Sequence, residues 1–188
     1  VDSITRVALA LRELGLAAGE PPAVRAFTPN VFSALPRIVE RCGAARDGAI
    51  TAIMTVLSET DDVDDPIVEL MKSVLDGHIV LSRTLAERGH FPAIDIARSI
   101  SRLAGDLFTP PEAQLARKAH AALARFEEAR PMIESGLYRK GSNPEVDQAI
   151  AWQQDLAAFL RQEADRPCSR DEGFAMLSRI CGGDGHAQ

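Results

Sequence analysis

Residues 49–57, AITAIMTVL, constrain this chain more than any other segment. They are apolar and β-branched along their whole length, with no alternation between apolar and polar. A run of this length between turn signals predicts a strand buried on both faces, as in a parallel sheet covered by helices. The flanking segments supply those helices. Residues 3–18, SITRVALALRELGLAA, carry apolar side chains at helical spacing behind a possible N-cap, Ser3, and end at Gly19-Glu20-Pro21-Pro22. Residues 30–42, NVFSALPRIVERC, read as a second helix in which Pro36 marks a kink or a new first turn. Residues 66–75 form a third, with Pro66 in its first turn.

Downstream, His78 to Leu81 reads as a short strand, Ser82 to Arg88 as a short helix stopped by Gly89, and Phe91 to Asp95 as an extended piece. The character then changes near residue 105. Pro110-Pro111 opens an alanine-rich helical stretch over 111–135, followed by helices over 145–163 and 169–181 and a glycine-rich tail. An α/β portion is therefore expected first and an all-helical portion second. Aromatic residues make up only 5% of the chain, so aliphatic and alanine packing must dominate both.

The formal net charge is -6, and no basic stripe interleaved with aromatics is present, which argues against nucleic acid as a partner. No apolar run has the length of a membrane span. Cys42, Cys168 and Cys181 form no CxxC pair, and the four histidines have no metal-ligand spacing. Free thiols in a reducing compartment are the plain reading. Val1 leads straight into an amphipathic run with no initiating Met, which predicts a segment upstream.

Six segments, in order, carry a resemblance: DSITR at 2–6, GLAAGEPP at 15–22, FTPNVFSALPRIVERCG at 27–43, ITAIMTVLSETDD at 50–62, DGHIVLSRTLAERGHFPAIDIARSISR at 76–102 and YRKGSNPEVDQAI at 138–150. Together they resemble the C-terminal half of the flagellar and type III protein-export ATPases, within the superfamily of rotary ATP synthase catalytic subunits. The resemblance implies the second half of a RecA-like P-loop core over residues 1–105 and a helical C-terminal domain over 106–188. It implies ATP and Mg²⁺ as cofactors, and ATP hydrolysis in a homo-oligomeric ring, a hexamer, with sites between subunits. The implied partners are a central stalk, regulators of the export apparatus, chaperones and export substrates. The implied location is cytoplasmic, peripheral at the inner face of the bacterial membrane. No GxxxxGK[ST] occurs in this sequence, so the phosphate-gripping loop of such a core would lie upstream.

The same resemblance assigns residues. Asp2 matches the acidic residue that orders the Mg²⁺ shell. On the residues alone, an Asp near a helix start favoured by the helix dipole is the better reading; the flanking SITR match turns it to the Mg²⁺ role. Arg102, in Ser99-Ile100-Ser101-Arg102, matches an arginine finger reaching a neighbouring subunit's nucleotide; without the motif it reads as a surface arginine. Phe91 stands where an aromatic ring stacks on adenine, and Phe159 is a candidate for the opposite wall; both also fit core positions. Glu20 and Arg25 fall in a loop implied to face a central pore. Asp61, Asp62, Asp64 and Asp65 form an acidic loop implied to meet the stalk. Lys140 to Asp147 forms a loop implied to contact partners. His78 and His90 read as structural.

Two other readings stand beside the export ATPase. One is a fragment of a rotary ATP synthase subunit, although GEPP and DGHIVLSR fit the export branch better and KGSNPEVDQAI leans flagellar. The other is a non-catalytic assembly or docking module, the preferred reading for the chain by itself; a half-core is also expected to expose a sheet edge and to aggregate. The purified 188-residue chain is accordingly expected to release no phosphate from ATP above a buffer control. Measurable turnover by this chain would overturn the module reading.

Overall fold

The structure, a computed structural model, describes residues 1–58 and 65–182. The chain divides into two compact units, Val1–Asp76 and Gly77–Gln188. Among the described residues no helix is long and apolar enough to cross a membrane.

In the first unit, α1 (Ile4–Ala17) begins where the Ser3 hydroxyl accepts the Arg6 amide, and the turn after it closes at Gly19, whose φ of 82° suits glycine. Helix α2 (Pro29–Val39) runs as one helix through Pro36, and α3 (Pro66–Val74) is capped by Asp65, whose Oδ1 accepts the amides of Ile67 and Val68. Asp65 thus has a structural task; the other acidic residues, 61, 62 and 64, lie outside the described segments. The three helices bury Ile4, Ala8, Phe27, Val31, Leu35, Ile67 and Met71 as one core. The spacing i, i+4 in each helix places these side chains on a single face.

Residues 49–57 depart from the expectation. Strand β2 (Gly48–Ile50) pairs only with β1 (Gly43–Ala45), as an antiparallel hairpin around Arg46-Asp47. Residues 51–57 are not assigned to a strand, and they are not buried on both faces. Met54 and Val56 pack on the helical core, whereas Ile53 is 83% and Leu57 68% exposed. The physical reason is pairing. Their ladder is confined to Val1 and the start of α1, so no strand among the described residues holds or covers the second face. Both assigned sheets are two-stranded and antiparallel rather than parallel.

In the second unit, β3 (Gly77–Leu81) pairs antiparallel with β4 (Ile94–Ser101), and α4 (Arg83–Glu87) lies between them. After α5 (Ala104–Leu107) come α6 (Pro110–Glu134), α7 (Pro144–Phe159) and α8 (Arg170–Cys181). Their shared core is Ala119, Ala122, Ala149, Leu156, Leu177 and Cys181, and its alanines let the three helices approach closely. Capping boxes start α6 (Thr109 with Glu112) and α8 (Ser169 with Glu172), and Asn143 caps α7.

Gly15 faces Thr28, which is fully buried; a Cβ on Gly15 would lie 2.5 Å from Thr28 Oγ1. Gly15→Ala gains about 1 kcal/mol of helix propensity, but the clash falls on a side chain already fixed by a 2.6 Å bond to Asn30 Oδ1. Denaturant unfolding of the first unit is therefore expected at a lower midpoint in Gly15→Ala, not a higher one.

The capping boxes make a second prediction. Glu112 and Glu172 titrate below the ordinary glutamate range, chiefly because the Thr109 and Ser169 amides donate to their carboxylates. Their contribution is complete above the ordinary value and is lost as pH falls through the depressed one. Replacing both by Gln keeps the box without the charge. The pH dependence of thermal unfolding should flatten in that window.

Candidate functional site

Asp2 owes its position to a short parallel ladder. The Val1 amine donates to Ile53 O at 2.8 Å, Thr55 N donates to Val1 O at 3.0 Å, and Ile4 N donates to Thr55 O at 2.9 Å. Side chains repeat the pairing: Leu57 N donates to Thr5 Oγ1 at 2.8 Å, and that hydroxyl donates to Leu57 O at 3.1 Å. Thr55 Oγ1 donates to Asp2 Oδ1 at 2.8 Å, which orients an otherwise exposed carboxylate. No group of three or more His, Cys, Asp or Glu capable of holding a metal occurs among the described residues. A single oriented carboxylate fits Mg²⁺ when phosphate and water supply the other ligands, because this hard ion keeps most of its waters.

The remaining candidates lie in the second unit. Arg102 is exposed and follows the last residue of β4. The backbone beyond it is anchored to α8: Arg170 Nη2 donates to Leu107 O at 3.3 Å and to Glu112 Oε2 at 2.8 Å. The Arg170 guanidinium also lies 6.0 Å from the Phe108 ring and 5.0 Å from the Phe174 ring, and these two rings meet edge to face at 5.4 Å.

Phe91 is 57% exposed, a large apolar ring presented to solvent. Its carbonyl accepts the Gln162 amide at 3.0 Å, so the chain just past α7 is tied to the Phe91 turn. Phe159, near that tie in sequence, is half-buried against the α6–α7–α8 core. The fold brings the backbone near these two aromatics together, while Phe159 itself takes part in core packing.

Glu20 and Arg25 take different roles. Glu20 is half-buried, and its Oε2 accepts the Asn30 amide at 3.1 Å, serving α2 as a cap supplied from the preceding loop. Asn30 Nδ2 in turn donates to Leu11 O at 3.0 Å, tying α2 to α1. Arg25 is exposed with φ 48°, and Ala26 follows at φ 61°. Two consecutive non-glycine residues in the left-handed region are strained, at a cost of about 1–3 kcal/mol each. The loop at 140–147 is also rigidly built. Tyr138 Oη donates to Asp147 Oδ1 at 2.9 Å, and Gly141 N donates to Asp147 Oδ2 at 2.8 Å.

His78 Nε2 lies 3.0 Å from Arg98 O, a structural contact. Burial pushes the Cys181 thiol up, away from nucleophile behaviour. Sequence reasoning missed Arg170, Tyr138 and Ser99. Arg170 bonds residues about sixty positions away, and no local pattern announces such a contact. Ser99 carried no local signal either, because β4 reads IDIARSIS and Asp95, Arg98 and Ser101 are polar as well.

The described residues thus make a chain of α/β elements, with an oriented carboxylate in the first unit and a strand-end arginine in the second, that continues into three packed helices. Residues 1–101 match the ATP synthase alpha/beta family, nucleotide-binding domain, and residues 108–179 match the T3SS EscN ATPase C-terminal domain. The chain belongs to the ATP synthase alpha/beta family. It is 44% identical to the flagellum-specific ATP synthase of Bacillus subtilis (strain 168), an alignment covering 98% of this chain and 42% of that protein. It superposes with a TM-score of 0.92 and 42% identity on the assembled ATPase EscN of the enteropathogenic E. coli type III secretion system, over 95% of this chain and 43% of that one. Against EscN in complex with its central stalk EscO the TM-score is 0.85 at 40% identity, over 95% and 42%. The chain thus spans about two fifths of the length of the relatives it matches.

Proposed function

We propose that this chain forms the C-terminal part of an ATPase that energises flagellar or type III protein export, hydrolysing ATP in a ring whose sites lie between subunits. The observation that carries the reading is the close likeness to the assembled EscN along 95% of this chain, together with an exposed arginine at the end of β4. In this reading Arg102 acts in trans, its guanidinium facing the charge that builds on the transferring phosphoryl group of the neighbouring subunit's nucleotide. Asp2 orders the water shell of Mg²⁺, whose role when bound is to neutralise phosphate charge. The Phe91 ring offers an apolar face to adenine, with the chain around Phe159 on the other side. The domain division at residue 105 belongs to the same proposal, as do a hexameric ring, a central pore faced by the loop of Glu20 and Arg25, a central stalk met by the acidic loop of Asp61, Asp62, Asp64 and Asp65, and chaperones and export substrates as cargo partners. A cytoplasmic position against the membrane's inner face completes it.

In the ring-forming protein that joins this segment to its phosphate-binding half, Arg102→Ala is expected to lower ATP turnover by about 10³-fold or more. Ring assembly, followed by sedimentation, should be unchanged. Arg102→Lys should recover little, because an ammonium lacks the planar fork of the guanidinium. Full turnover in Arg102→Ala would remove the finger from the mechanism.

A further inference from the structure

The pairing of β3 with β4 slips just before Arg102. His78 pairs with Ile100, yet Val80 pairs with Asp95, so residue 79 on β3 stands opposite residues 96–99 on β4. The chain at 95–99 closes into a bulge, and one hydroxyl sews its base. Val80 N donates to Ser99 Oγ at 2.9 Å, while Ser99 Oγ donates to Asp95 O at 2.6 Å. A serine hydroxyl is both donor and acceptor, so it bridges the Val80 amide to the Asp95 carbonyl, two residues that face each other where the register slips. The tip is pinned as well: Arg98 N donates to Asp95 Oδ1 at 3.1 Å, and Arg98 O meets His78 Nε2 at 3.0 Å.

Bulges of this kind re-aim the residues that follow them. Here those residues are Ile100, Ser101 and Arg102. Downstream, the chain is held from the other side by Arg170 on Leu107 O and by Phe108 on Phe174. Arg102 therefore sits on a short span fixed at both ends: upstream, Gly77 and His78 pair with Ser101 and Ile100, and Ser99 Oγ closes the base of the bulge from which that pairing resumes.

We propose that Ser99 is a positioning residue for Arg102, holding the β4 bulge in the register that aims the guanidinium. The proposal rests on the reading of Arg102 as a trans-acting finger. Ser99 touches no nucleotide; it acts only through the strand end. Because small misplacements of a group that acts in the transition state cost rate more than binding, its loss should appear in kcat and not in KM.

The test has two arms. In the ring-forming protein, Ser99→Ala is expected to lower kcat by about ten- to a hundredfold with KM within about twofold. Ser99→Thr, which keeps the hydroxyl, should restore most of the rate, and Ser99→Ala should add nothing in an Arg102→Ala background. In the 188-residue chain, Ser99→Ala should speed hydrogen exchange at the Val80 amide by about tenfold or more. Full turnover in Ser99→Ala alongside a disabled Arg102→Ala overturns the positioning role alone. An equal loss with and without Arg102, or an unchanged Val80 amide, also overturns it. Normal turnover in Arg102→Ala overturns the finger reading and this proposal with it.

Discussion

The first unit depends on a few backbone hydrogen bonds between its opening residues and the extended segment 53–57. Extended apolar chain cannot lie against a helical core with its peptide groups unpaired, since each buried unpaired group costs ~1–3 kcal/mol. The ladder from Val1 through Ile4 satisfies part of that demand, and Thr5 extends it with its hydroxyl. The consequences run outward. Pairing sets the register that turns Met54 and Val56 onto α1, α2 and α3. The same register carries Thr55 to Asp2, so the carboxylate is oriented by the interaction that seats this extended segment. Core and candidate metal ligand are thus built by one set of contacts.

The second unit solves a different problem, that of fixing an exposed strand end. Arg102 is exposed, and the chain on either side of it is held by polar contacts. Upstream, Ser99 Oγ bridges the Val80 amide and the Asp95 carbonyl at a slip of register. Downstream, Arg170 ties Leu107 and Glu112 to α8, with its guanidinium against two aromatic rings. Arg170, which serves as an anchor, bonds a carbonyl and a carboxylate and lies against two rings while remaining half exposed.

Much of this was legible in the chain. Helices α1, α3 and α6 follow from Ser3, Pro66 and Pro110-Pro111 at their starts, since caps and first-turn prolines are local signals; α7 and α8 were legible as helical stretches without their caps, Asn143 and Ser169. The change to an all-helical second part was legible too, from alanine content and proline punctuation. Segment 49–57 was read for its composition, which does describe a two-faced strand. Composition cannot supply the neighbouring strands, and in this structure Ile53 and Leu57 stay exposed without them. The hairpin at 43–50 was missed, although Asp47-Gly48 is a turn signal, because its three-residue strands are too short to show a period.

The sequence by itself determined the family, through six segments kept in order and spacing, and with it which residue types stand at the carboxylate, aromatic and arginine positions. It also determined where the helices begin, because a cap needs only residues three or four apart. The tertiary structure alone decided what holds those residues in place. Thr55 on Asp2, Gln162 on Phe91, Ser99 across the slipped ladder and Arg170 behind the strand end join positions separated by some twenty to seventy residues. Such contacts depend on how elements pack and in what register, and neither is written in any local window of the chain.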